Sequence, residues 1–157
     1  MNKNENLEYL VYTYADTILR FSYSYLKNLQ DAQDVSQTVF VKLLIAKQNF
    51  KSKDHEKAFI LRMTANVCKD ILKSSWRNRT CTMEHCGEIV APKEDDDSSI
   101  LWAVNQLEDK YRCVIYLHYY EGYKAYEIGK IIGVPTPTIH TRLVRGREKL
   151  KKVLGGE

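Results

Sequence analysis

The sequence predicts an all-α protein: two small helical bundles joined by a flexible acidic linker, the C-terminal bundle containing a helix-turn-helix. Three observations lead there. Apolar residues recur at three- and four-residue steps along most of the chain. No alternating strand of useful length and no repeat interrupts them. From Thr80 to Ser99 the periodicity disappears, and Gly87, Pro92 and the acidic run Glu94 to Asp97 mark a connector near the middle. With 157 residues, 44% hydrophobic and 28% charged, the chain is too apolar for wholesale disorder and too short for a large multidomain enzyme.

Taken in order, Leu7, Leu10, Val11, Tyr14, Ile18, Phe21 and Tyr25 form the apolar stripe of a first helix. After a break at Lys27 to Gln30, Asp31 is a suitable N-cap for a second stripe of Ala32, Val35, Val39, Phe40, Leu43 and Leu44. Asn49 to Glu56 is polar and breaks the pattern. Ile60, Met63, Val67 and Ile71 restore it in a third helix that runs out in the basic stretch Lys73 to Arg79. Beyond the linker, one short stripe runs through Ile100, Leu101, Val104 and Leu107, and a second from Tyr111 to Tyr119 ends at Gly122. Two further helices lie around Ile128 to Ile132 and Ile139 to Leu154, separated by Gly133-Val-Pro135 and closed by Gly155-Gly156. The boundaries that follow are 1–79 for the first domain, 80–99 for the linker and 100–157 for the second domain.

The net charge of +4 is mild, but it is unevenly placed. Lys53 to Thr80 carries seven basic and three acidic side chains, and Pro135 to Glu157 carries six and two. A basic segment in each domain fits two contacts on one polyanion, although solvated helix faces give the same count. No apolar run approaches the roughly 18 residues of a membrane span, and the N-terminus lacks a basic segment followed by an apolar one. A cytoplasmic protein without membrane insertion is the expectation, with Cys68 and Cys113 as core thiols. Cys81, His85 and Cys86 lie close together but match no standard zinc spacing, so no metal is expected. No Gly-rich phosphate loop, nucleophile elbow or paired-carboxylate constellation supports catalysis or a cofactor.

The strongest local signal lies between Ala125 and Arg142. Gly129 suits the close crossing of two helices, Gly133 the positive φ of a tight turn, and Ile139 the shared core, which together make a helix-turn-helix. Thr136 is read as the cap of the second helix and Pro137 as part of its first turn. That helix projects Thr138, His140, Thr141, Arg142 and Arg145 from its N-terminal half, the part that enters a major groove. On the second helix, Asp31, Asp34 and Gln37 recur at steps of three and place polar ends on one face, suited to a basic helical partner.

The C-terminal half, from Gln106-Leu-Glu-Asp-Lys-Tyr-Arg112 through Arg142-Leu-Val-Arg-Gly-Arg-Glu-Lys-Leu150, resembles region 4 of extracytoplasmic-function (ECF) sigma factors of the sigma-70 family. Asp31-Ala-Gln-Asp-Val-Ser-Gln-Thr-Val-Phe40 resembles region 2, and Phe59 to Asn66 with Asp70 resembles the promoter-reading segment that follows it. The resemblance implies an initiation factor, not an enzyme. Its expected partners are core RNA polymerase, through the β′ clamp helices and the β flap, promoter DNA and an anti-sigma factor. It assigns Asp31, Asp34, Gln37 and Phe40 to polymerase binding. It assigns Asn66, Lys73, Trp76, Arg77 and Arg79 to the minus-ten element, where cations and an aromatic ring suit single-stranded DNA. The polar loop Asn49 to Lys57 would help capture a flipped base, and Thr138, His140, Thr141, Arg142 and Arg145 would bind the minus-thirty-five element.

Several residues depart from the family pattern. Gln33 and Thr38 stand where glutamate is usual, Lys124 where a serine cap is common, Pro135 and Pro137 around the recognition-helix start, and His140 where lysine is common. A stand-alone helix-turn-helix regulator of duplex DNA, or a module that sequesters a partner without driving transcription, are the readings that compete.

Overall fold

A computed structural model describes residues 3–46, 49–77 and 96–155. Among them the chain is helical without strands, and it divides into two compact units, Met1–Cys86 and Gly87–Glu157. The predicted all-α architecture with three helices in one unit and four in the other is what the structure has. The acidic stretch 78–95, with Cys81, His85 and Cys86, lies outside the described residues.

The first unit contains α1 (Lys3–Leu26), α2 (Leu29–Ile45) and α3 (Lys53–Arg77). Their apolar stripes meet in one core of Leu10, Tyr14, Ile18, Val35, Val39, Leu43, Ile60, Val67 and Cys68, with Phe40, Phe59, Met63 and Ile71 packed against it. Two stripe residues face outward instead: Val11 and Leu44 stand 39% and 43% exposed. The turn after α1 is made by Lys27 in the left-handed region (φ 52°). Asn28 follows it as the N-cap of α2, its side-chain oxygen accepting from the Asp31 amide at 2.9 Å. Asp31 is therefore in the first turn and not the cap. Both residue types cap well, and the tight turn at Lys27 brings the earlier one into place.

The polar segment expected to be a loop is mostly helix. Ser52 initiates α3, with its hydroxyl accepting from the His55 amide at 3.1 Å and its carbonyl from the Glu56 amide at 3.0 Å. Asp54 and Glu56 then lie at the positive end of the helix dipole. Only Asn49 to Ser52 of the expected loop is non-helical and described.

The second unit contains α4 (Asp96–Asn105), α5 (Asp109–Ile115), α6 (Ala125–Ile132) and α7 (Thr136–Val153). Helix α4 starts four residues before the stripe read from Ile100. Helix α5 runs on into a π-helical turn, Tyr116–Tyr120, closed by the Glu121 amide donating to the Tyr116 carbonyl at 3.2 Å. Leu107, Tyr111, Val114, Leu117, Ile128, Ile132, Ile139 and Leu143 form the core. Arg112 is buried with them at 1% exposure, donating to the Leu107 carbonyl at 2.6 Å and to the Asp109 carboxylate at 2.7 Å. Its charge ties the α4–α5 turn to the start of α5.

Candidate partner-docking and nucleic-acid surfaces

The face of α2 turned away from the core carries both acids and hydrocarbon. Asp34 and Gln37 are exposed and Asp31 is half-buried, while Phe40 leans onto the core as its position in the stripe predicts. One turn separates the two carboxylates. Burial, and then the neighbouring Asp34 charge, raise the Asp31 carboxyl above the usual carboxylate range. A cationic partner would relieve that repulsion. Toward the C-terminal end, Val41 is 56%, Leu44 43% and Ile45 73% exposed, adjoining the acidic face. Sequence reasoning missed these three as surface residues. The available signal was angular, since at about 100° per residue Val41 and Ile45 project beside Asp34 and away from Val35 and Val39.

On α3, Asn66 and Lys73 are exposed on one edge, and Arg62 and Lys69 fall on the same edge at the intervening turns. The edge therefore carries three cations and one amide over three turns, a track for phosphates. Arg62 and Lys69 were not assigned from the sequence, although the steps of four, three and four that join them to Asn66 and Lys73 are visible there. The helix backbone continues through Trp76 and Arg77, whose side chains are not among those described, and Arg79 lies outside the described residues. At the other end of α3, Phe50 packs edge-on to His55 (ring centroids 5.6 Å) and tilted onto Phe59 (5.3 Å), seating the end of the preceding loop on the first turns of the helix.

The helix-turn-helix has the geometry its sequence predicts. Gly133 is left-handed (φ 71°, ψ 42°), and its amide and that of Val134 both donate to the Gly129 carbonyl, at 2.8 and 3.0 Å. A Cβ at Gly129 would stand 2.6 Å from the Val134 carbonyl oxygen, so the turn passes too close for any side chain there. Ile139 is fully buried. The cap differs from expectation: Pro135 is the N-cap of α7 and Thr136 its first residue, the Pro135 carbonyl accepting from Thr138 and Ile139 at 3.0 and 3.1 Å. The Pro135 ring fixes φ at −58°, and with ψ at 142° the residue takes the cap conformation, so the helix begins at Thr136. At the start of α6, Lys124 has no side-chain acceptor, but Glu127 accepts from its amide at 2.9 Å, so half of a capping box remains.

From that start α7 presents Thr138, Thr141, Arg142 and Arg145 within an arc of about 100°, with His140 on the opposite flank, roughly another 100° beyond Thr141. Thr141, Arg145 and His140 are exposed, and Thr138 and Arg142 are half-buried. The Thr141 hydroxyl donates to the Pro137 carbonyl at 3.1 Å, which leaves its lone pairs as acceptors. Arg142 lies near enough to the buried Cys113 to favour its thiolate, yet burial dominates and pushes that thiol up to about 12. Cys113 is thus a packing group, as is buried Cys68. From α7, Arg147 donates to the Tyr119 hydroxyl at 2.9 Å, and Tyr119, Tyr120 and Tyr126 are exposed. Among the described residues no group of three His, Cys, Asp or Glu side chains converges as a metal site, and no helix is long and apolar enough to cross a membrane.

Comparison with known proteins finds one family on both units. The family model "Sigma-70 region 2" matches residues 10–78, and "Sigma-70, region 4" matches residues 98–150. The chain is 28% identical to the ECF RNA polymerase sigma factor SigW of Bacillus subtilis (strain 168), over 92% of this chain and 87% of that protein. It is also 28% identical to the RNA polymerase sigma factor SigV of the same organism, over 84% and 81%. The sigma factor RpoE of Bartonella quintana, solved in complex with the anti-sigma factor NepR, shares the fold with a TM-score of 0.77, at 20% identity over 96% of this chain and 98% of that one. With region 2 on the three-helix unit and region 4 on the helix-turn-helix unit, the chain belongs to the sigma-70 family of RNA polymerase sigma factors, in its ECF branch.

Proposed function

We propose that the chain drives promoter-specific initiation by docking core RNA polymerase on the outer face of α2 while α3 and α7 hold the two promoter elements. The observation that carries this reading is the exposed acidic and apolar face of α2. Large apolar side chains clustered at a surface and rimmed by polar groups mark a docking site, and Val41, Leu44 and Ile45 beside Asp34 suit a basic helical pair such as the β′ clamp helices. Asp31, Gln37 and Phe40 complete or support that face. The track of Arg62, Asn66, Lys69 and Lys73 receives minus-ten DNA, with Trp76, Arg77 and Arg79, which follow it in the sequence, assigned to the same element. The arc of Thr138, Thr141, Arg142 and Arg145, flanked by His140, reads the minus-thirty-five element, and the second unit docks the β flap.

In this reading residues 1–79 and 100–157 are the two working domains and 80–99 connects them. The protein acts in the cytoplasm by binding alone and catalyses no bond chemistry itself. An anti-sigma partner, of the kind bound to the Bartonella protein, would compete for the same docking faces. Gel filtration with cognate core polymerase tests the proposal. Wild type and Arg145→Ala should co-elute with core and Asp34→Arg should not, while Arg145→Ala should lose affinity for a minus-thirty-five duplex. Failure of folded wild type to co-elute would leave a stand-alone duplex-DNA regulator.

A further inference from the structure

We propose that Glu56 is a positioning residue for promoter opening: held by Tyr9 and Tyr14 of α1, it fixes the first turns of α3 and, through them, the Phe50–Ser52 segment that borders the minus-ten strand. The inference rests on the promoter reading of α3. One carboxylate oxygen, Oε1 of Glu56, accepts hydrogen bonds from the Tyr14 hydroxyl at 2.6 Å and the Tyr9 hydroxyl at 2.9 Å. Tyr14 is 4% exposed inside the core, where a phenol hydroxyl needs an acceptor. Its acceptor comes from 42 residues away, on another helix. Lys53 adds a cation 5.6 Å from the centre of the Tyr9 ring. The N-terminal end of α3 is therefore pinned to α1 through a tyrosine seated in the core.

The same helical turn reaches into the loop. His55 receives the Ser52 cap on its amide at 3.1 Å, its Nδ1 accepts from the Lys51 amide at 3.3 Å, and its ring meets Phe50, which also packs on Phe59. Contacts thus run without interruption from Tyr14 through Glu56 and His55 to Phe50 and Lys51. Removing the anchor frees the loop end while the α2 docking face, built from other residues, stays in place.

The test compares wild type, Glu56→Ala, Glu56→Gln and Tyr14→Phe, each combined with core polymerase at a temperature where circular dichroism shows all four folded. Core affinity is measured, and transcription is measured from a duplex promoter and from the same promoter pre-opened by mismatches over the minus-ten region. Losing a hydrogen bond to a charged acceptor predicts about a tenfold loss on the duplex for Glu56→Ala and Tyr14→Phe. Their core affinity should stay within about twofold, and the pre-opened template, which needs no unpairing, should restore transcription. Glu56→Gln keeps an acceptor oxygen and should resemble wild type. Equal losses on both templates, a parallel loss of core affinity, or an undiminished duplex signal in Glu56→Ala would overturn the proposal. A wild type inactive on both templates would instead sink the promoter reading itself.

Discussion

Replacing Gly129 with alanine tests whether the helix-turn-helix is held by a steric contact between α6 and its following turn. The added methyl would lie 2.6 Å from the Val134 carbonyl oxygen, and 3.6 and 3.7 Å from Thr136 Oγ1 and the Thr136 amide nitrogen. The nearest atom is backbone in a turn already committed by the left-handed Gly133, so α7 must move as a body to make room. Overpacking of this kind costs about 1–3 kcal/mol, whereas alanine for glycine inside a helix returns about 1 kcal/mol. A net loss of about 1 kcal/mol is expected, or about 4–8 °C in the melting temperature of a unit this small. Gly146→Ala is the matched control. There the methyl meets Ile115 side-chain carbons at 3.1 and 3.2 Å, which can rotate, so the helix gain should offset the crowding. Thermal unfolding by far-ultraviolet circular dichroism reads both, and a minus-thirty-five duplex should bind more weakly to Gly129→Ala. A Gly129→Ala chain as stable as wild type and undiminished in DNA affinity would refute the steric argument.

Other substitutions probe charge. Asp109→Ala deprives the buried Arg112 of its carboxylate partner and should cost about 1.5–3 kcal/mol in urea unfolding, the range for a hydrogen bond to a charged group; an unchanged midpoint would show that the Leu107 carbonyl suffices. Because Asp31 is raised in the fold, its contribution is fully present below the ordinary carboxylate pKa and is lost as pH rises through the folded value. Asp31→Asn should therefore be more stable than wild type at neutral pH, with the difference closing in acid, as melting curves between pH 3 and 7 would show. Arg145→Ala should lower the slope of log affinity against log salt for the minus-thirty-five duplex by about 0.9, a change that fluorescence anisotropy resolves; an identical slope would remove Arg145 from phosphate contact.

Legibility followed the range of the forces involved. Gly129, Gly133 and Ile139 were readable because their constraints are local: a close approach, a positive φ and an apolar plug at fixed separations. The sequence points to Asp31 as the cap where Asn28 holds that place, since both side chains cap well and the Lys27 turn that decides for Asn28 carries no glycine. The first turns of α3 looked like loop because a helix start rich in Lys, Asp, His and Glu has no apolar stripe until the core begins at Ile60. Leu44 was placed inside since helical spacing alone does not tell a core stripe from an outward docking face. Burial of Arg112 ran against the general exposure of arginine and depended on the fold of the α4–α5 turn, which aims the Leu107 carbonyl at its guanidinium.

The π turn at Tyr116–Tyr120 holds one residue more than an α-helix of the same length, and that surplus matters for how this segment tolerates change in chain length. Its i to i+4 rings, Tyr116 and Tyr120, stack at 5.3 Å and 13°, and the Tyr116 hydroxyl donates to Glu121 at 2.6 Å. The Tyr123 amide meanwhile reaches back to the Leu117 carbonyl at 3.0 Å. Removing a single residue here would let the ladder close as ordinary α-helix of the same length, so later residues keep about the rotation they have now, and what is lost is the wide turn that stacks Tyr116 on Tyr120. The segment is a length-tolerant joint: it can give up its surplus residue within one turn while the helices downstream keep their aim.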